Sequence, residues 1–309
     1  MSPFVGSWHP LVESFDRLRP PPPDVSDLLR SFQQSITDLT ARRTSSLRGF
    51  ERRVAAALAH RDPVPARGAN FARVSQLMIY HLAQLAYVRE KEKVAYLKPL
   101  IEHSRKIGRL FIATLNYDNS IELAAAVEGV ECNSAIPSWS RNQKLDFSLA
   151  GLNLAKLHGS IDWQWVGPAT GSDILLPRRG IRVLGPGAAA PRPGTVAYRN
   201  FEPAVIFGHK NKLTAEGPFL GLLQAFVEEL DEAETLTVIG YSFGDPHINV
   251  YIGDWLHRSE RHRLRIVDPV LERVPVGRRG ELWNFGGSTA GKTELIGEKA
   301  STAIAKLFA

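Results

Sequence analysis

The stretch Leu236-Thr237-Val238-Ile239-Gly240-Tyr241-Ser242-Phe243-Gly244-Asp245 decides the fold, because it reads as a strand that stops in a turn bounded by two glycines. A helix is expected over about 246–258, and Leu264-Arg265-Ile266-Val267 then gives another strand, ending in Asp268-Pro269. Just upstream lie the apolar run Ala204-Val205-Ile206-Phe207 and a helical stretch over about 217–232. Strands alternating with helices imply an α/β fold on a parallel, doubly wound sheet, with helices on both faces. In such sheets ligands sit at the carboxyl ends of the strands.

Farther out, Leu110-Phe111-Ile112-Ala113-Thr114-Leu115 is a short apolar run, as expected for a strand buried on both faces. It ends in Asn116-Tyr117-Asp118-Asn119-Ser120, after which Ile121 to Val127 reads as helix. Polar clusters thus fall at strand ends in three places: Asn116–Asp118, Gly240–Asp245 and Asp268. That coincidence marks a site. We take residues 106–270 as the core domain. Within it, 133–200 is rich in Gly and Pro, including Gly185-Pro186-Gly187 and Pro191-Arg192-Pro193-Gly194, and reads as a small irregular lobe of loops and short strands.

The flanks read differently. Residues 1–25 end in Arg19-Pro20-Pro21-Pro22-Pro23-Asp24, an extended arm, since consecutive prolines fit neither a helix nor a sheet interior. Residues 26–105 form a helical region packed on, or inserted in, the core. Ser26 caps a helix over 26–60 in which Leu28, Leu29, Phe32 and Ile36 recur at helical spacing, and Pro63 and Pro65 break it. Over 71–105, Val74, Leu77, Met78, His81, Leu82 and Leu85 share a helical face, and Pro99 belongs in the first turn of the last helical piece. Residues 271–309 are a C-terminal extension with a terminal helix.

Composition bounds the function. The 309 residues are 44% hydrophobic and 23% charged, ordinary for a globular protein. The net charge of +6 is spread over many arginines, which favours anionic partners such as nucleotides without implying direct binding to nucleic acid. Cys132 is the only cysteine, so neither an intrachain disulfide nor a multi-cysteine zinc site can form. The first residues lack a basic segment followed by an apolar run, and no stretch approaches the roughly 18 apolar residues of a membrane span. A soluble, cytoplasmic protein is expected.

Three clusters could carry chemistry. In Gly240–Asp245 two glycines admit a ligand close to the backbone, Ser242 offers a hydroxyl, and the next helix start presents free amides. Equally, this is a plain strand-to-helix turn with Asp245 as N-cap. Asn116-Tyr117-Asp118 sets an amide and a carboxylate just past a strand, or else forms an Asx-type turn with Asp118 capping the next helix. Lys156-Leu157-His158-Gly159-Ser160 places an imidazole beside a glycine, and histidine is the residue type that titrates near neutrality.

Taken together, Thr114-Leu115-Asn116-Tyr117-Asp118, Lys156-Leu157-His158-Gly159-Ser160-Ile161-Asp162-Trp163, Ile239 through Asn249, and Val267-Asp268-Pro269 resemble the sirtuin-like domains of bacterial anti-phage defence proteins. The resemblance runs from about residue 94 to 269, and it is the order of four motifs that makes it specific. It implies a Rossmann-like domain that takes NAD as substrate and cleaves the bond between nicotinamide and ribose. By position, Asn116 and Asp118 would hold the nicotinamide ribose or position water. His158 would bond the ribose hydroxyls and act as general base. Ser242, Asp245 and Asp268 would contact the adenosine side, with Thr114, Gly240 and Asn249 also at the cofactor. Such an activity must be gated, so assembly is expected, as a homo-oligomer or with a defence partner such as an ATPase/helicase or an Argonaute-like protein. A catalytically silent subunit for such a partner, and an NAD-dependent protein deacylase, are the competing readings.

Two departures shape these expectations. Sirtuin deacylases carry a four-cysteine zinc module that one cysteine cannot build, which favours NAD hydrolysis and no zinc. The family also opens with a strand and Gly-Ala-Gly-x-Ser, which cradles the pyrophosphate, whereas Phe4-Val5-Gly6-Ser7 is too short and lacks the glycine pair. The pyrophosphate half of the site is thus unaccounted for: either the sequence begins downstream of that first strand, or part of the cradle has been lost. Finally, Gly286-Gly287-Ser288-Thr289-Ala290-Gly291-Lys292-Thr293 matches the P-loop pattern. Only residues 294–309 follow, too few for a Walker B strand and a nucleoside pocket. We read it as a glycine-rich connection into a terminal helix from about Glu294 to Leu307.

Overall fold

Pro99 sits in the first turn of α1 (Lys98–Ile107), where a missing N–H costs nothing because it has no intrahelical partner. The computed structural model describes residues 83, 86–167, 180–185, 203–206, 217–273 and 291–308. The arm over 1–25, the helix expected over 26–60 and most of the 71–105 reading lie outside those residues. Near α1, residues 87–90 carry no helix, and Lys91–Leu97 is a 3-10 turn that buries Val94 and Leu97.

The chain divides into two units. One contains Glu90–Thr114, Ser120–Leu157 and Leu220–Ala309; the other takes in Leu115–Asn119 and His158–Phe219. In the former, β1 (Arg109–Thr114), β2 (Cys132–Asn133) and β3 (Gly151–Lys156) form a parallel sheet in the order β1-β3-β2. Between them come α2 (Ser120–Val127) and α3 (Ile136–Asn142). The chain therefore has the α/β class expected, but its burial corrects the sequence reading. The apolar run of β1 is half-buried throughout, because β1 is an outer strand of this sheet. The central strand is β3, which lies in the stretch read as loops with short strands and is buried from Leu152 to Lys156.

Its polar residues are tolerated there because each has a partner. Asn133 Nδ2 donates to Asn153 Oδ1 at 2.8 Å, and Asn153 Nδ2 donates to the Leu149 carbonyl at 2.8 Å. Lys156, fully buried, donates to Glu122 on α2 at 2.8 Å. An unpartnered buried polar group would cost about 1–3 kcal/mol.

The same unit holds a further parallel sheet. It comprises α4 (Phe219–Glu232), which begins at the unit boundary, then β7 (Thr235–Ile239), α5 (Pro246–Arg258), β8 (Arg263–Val267), β9 (Thr293–Ile296) and α6 (Ala300–Leu307), with strand order β7-β8-β9. Strands β4 (Gly159–Val166), β5 (Gly180–Val183) and β6 (Pro203–Val205), which precede these in the chain, belong to the other unit. Helix α5 has the bounds expected and buries Ile248, Ile252, Trp255 and Leu256, while Leu264 and Ile266 of β8 are fully buried. The parallel sheet continues past residue 270, however. Glu294–Ile296 is strand rather than helix and pairs in parallel with β8. Arg109 ties the start of β1 to α4, donating to Glu229 at 2.9 Å and to the Phe147 carbonyl at 3.0 and 3.2 Å.

The other unit holds an antiparallel sheet ordered β5-β4-β6: β4 (Gly159–Val166), β5 (Gly180–Val183) and β6 (Pro203–Val205). Trp163 and Ile161 of β4 are buried in it.

Candidate active site

Thr114 pairs with Lys156 at the end of the β1–β3 ladder, and the Leu157 amide donates to the Thr114 carbonyl at 2.9 Å. Asn116 and His158 therefore each lie two residues beyond paired positions, past the carboxyl ends of parallel strands. Asn116 is exposed, whereas Asp118 and His158 are half-buried.

Within the unit that holds 115–119 and 158–219, a web of bonds surrounds the histidine. The Ile206 amide donates to the His158 carbonyl at 2.9 Å, and the Tyr117 hydroxyl donates to the Ile206 carbonyl at 2.7 Å. The Ile161 amide and Ser160 Oγ both donate to the Tyr117 carbonyl, at 3.1 and 3.3 Å. Ser160 Oγ also bonds buried Asp162. The rings of Tyr117 and His158 are 6.3 Å apart between centroids and tilted by 32°.

The glycine after His158 has a steric reason. Gly159 has φ +83°, and a Cβ there would lie 2.0 Å from the Ala204 carbonyl oxygen of β6. No other residue lets β6 approach so closely.

Sequence reasoning missed two further buried polar residues, one in each unit. Asn119 is fully buried; its Oδ1 accepts from the Val88 amide at 2.7 Å and its Nδ2 donates to the Val88 carbonyl at 3.0 Å. Lys156 is the other, through Glu122. Their partners stand 31 and 34 residues away, so no local pattern reveals them.

At the second sheet Ile239 pairs with Val267, so Gly240 and Asp268 each follow a paired position. Asp245 N-caps α5, accepting from the His247 amide at 3.1 Å. That is the structural duty weighed for it, satisfying a helix-start donor. Asn249 pins the loop from inside the helix: its Nδ2 donates to the Phe243 carbonyl and its Oδ1 accepts from the Tyr241 hydroxyl, both at 2.8 Å. Burial pushes the Tyr241 hydroxyl up to about 12. Phe243 is held at φ +53°, next to exposed Ser242. Asp268 accepts from the Val270 amide at 2.8 Å in the turn that follows β8.

The P-loop look-alike has other work. Lys292 is buried and donates to Glu260 at 2.8 Å and to the Ser259 carbonyl at 3.3 Å, and a strand rather than a helix follows it. The contact with Lys292 holds the Glu260 carboxyl below its ordinary range. A P-loop needs its lysine facing a phosphate at a helix start, and neither condition is met.

Among the described residues, no helix is long and apolar enough to cross a membrane. The family model described as "SIR2-like domain" matches residues 110–274, more than half of the chain. A solved complex of ADP-ribose with a histidine-to-asparagine mutant of a Sir2 homologue is similar at 14% identity and a TM-score of 0.45, over 79% of this chain and 76% of that chain. A complex of ADP-ribose with a serine-to-alanine mutant of a Sir2 homologue gives 13% identity and a TM-score of 0.42 over the same shares. No curated protein matches the chain.

Proposed function

The chain belongs to the SIR2-like domain family, and on that premise we propose that it binds NAD and hydrolyses it to nicotinamide and ADP-ribose. The observation that carries this reading is the shared offset of Asn116 and His158 past the β1–β3 pair, with Tyr117 bonded into the His158 turn. The donor chemistry suits the task. A carboxamide and a carboxylate, Asn116 and Asp118, are fit to hold ribose hydroxyls and to stabilise positive charge developing on the sugar. The backbone at Gly240 stands open, with nothing within 4 Å of where a Cβ would project, which suits close approach of a ligand.

In this reading nicotinamide leaves with the electron pair of the broken C–N bond, as a neutral base that needs no acid. Water supplies the new C–O bond, and His158 takes the proton released. Asn116 and Asp118 orient the ribose. Thr114, Gly240, Ser242, Asp245, Asn249 and Asp268 are assigned to the rest of the NAD molecule. No zinc is called for, and one cysteine cannot build the four-thiolate module. We assign the activity to a gated anti-phage defence effector of the cytoplasm, controlled by self-assembly or by an ATPase/helicase or Argonaute-like partner.

The test is direct. Purified full-length chain, alone and with the products of neighbouring genes, is incubated with NAD while free nicotinamide is followed. Release that His158→Ala abolishes supports the reading. If no preparation releases nicotinamide, the enzyme reading fails and a silent binding subunit takes its place.

A further inference from the structure

The residue between Asn116 and Asp118 does more than join them. The Tyr117 ring packs against the cluster of Ala83 and Ile161, alongside Tyr87 and Leu184. Packing fixes the ring plane and thereby aims the hydroxyl. That hydroxyl donates to the Ile206 carbonyl, and the amide of the same residue donates to the His158 carbonyl. The peptide backbone of Ile206 is thus held from both sides, by the tyrosine and by the histidine. At the next position Gly159 leaves no room for a Cβ against the Ala204 carbonyl of β6, so the strand leading into Ile206 packs closely on β4.

We propose that Tyr117 is a positioning residue that fixes His158 through Ile206. It touches no reacting atom in this account. The hydroxyl's bond restrains Ile206, Ile206 restrains the His158 carbonyl, and the imidazole inherits a defined origin. The proposal rests on the reading of His158 as the general base, but the restraint itself can be measured without any activity.

Tyr117→Phe keeps the packed ring and removes only the hydroxyl. The first readout is amide hydrogen exchange in the full-length protein. The Ile206 amide should exchange at least tenfold faster in the variant, while the Leu157 amide, held by Thr114, keeps its wild-type rate. The second is kinetic: with NAD as substrate, kcat should fall roughly ten- to a hundredfold, the cost of a small misplacement of a reacting group, with KM within about twofold. An unchanged Ile206 rate overturns the proposal, whether or not NAD is cleaved. So does wild-type kcat in a variant whose parent cleaves NAD. An inactive wild type would instead refute the hydrolase reading, leaving the exchange rates to decide the brace.

Discussion

The turn that carries His158 and the turn after β7 both follow parallel strands, yet they are built on opposite plans. The first is crowded. Lys156 is buried against Glu122, Gly159 faces the Ala204 carbonyl without room for a methyl group, and Ser160 is fully buried. The second is open. Gly240 is exposed with nothing near its missing side chain, Ser242 is exposed, and the loop keeps its shape through the Tyr241 hydroxyl and the Asn249 amide. A crowded turn holds one side chain still, as a group that transfers a proton must be held. An open turn presents backbone to a ligand and can adapt to it.

That contrast can be broken at either end. The largest effect is expected at Gly159: Gly159→Ala combines a positive φ with a backbone clash and should destabilise the protein by about 4 kcal/mol, read by chemical denaturation. Lys156→Met comes next. It removes the buried ammonium that faces Glu122 and should cost about 3 kcal/mol, of which adding Glu122→Gln should restore about 1 kcal/mol. At the open turn, Gly240→Ala meets only the strain of φ +68° and should cost about 1–2 kcal/mol. Equal costs for the two glycine substitutions would erase the contrast.

The smallest effect is one of pH. Burial raises the Tyr241 hydroxyl to about 12, above its ordinary value near 10. The unfolded chain then loses this proton first, so the contribution is complete below about pH 10 and fades between 10 and about 12. Alkaline denaturation should show that loss, and Tyr241→Phe should remove it.

Much of this was legible in the sequence, and the rest was hidden for identifiable reasons. Helix α5 and strands β7 and β8 were readable because apolar runs and a proline at the helix start mark them locally. Strand β3 was not, since Asn153 and Lys156 interrupt its apolar pattern; their partners, Asn133 and Glu122, are distant in sequence. Strand β1 misled in the other direction, because an apolar run says nothing about whether a strand lies at the centre of its sheet. The P-loop pattern at 286–293 concealed β9. The candidate residues Asn116 and Asp118 stood out as polar groups at a strand end, and His158 as an imidazole beside a glycine, but the reason for Gly159 needed Ala204, 45 positions away. Tyr117 left one signal, an aromatic residue flanked by two polar candidates.

The measurement that bears most directly on the account is a time course of nicotinamide release from NAD by the wild-type chain and by His158→Ala, each alone and with its neighbouring-gene partners. The account predicts release by the wild type in at least one preparation and none by the variant. Release that survives the loss of His158, or its absence from every wild-type preparation, would contradict it.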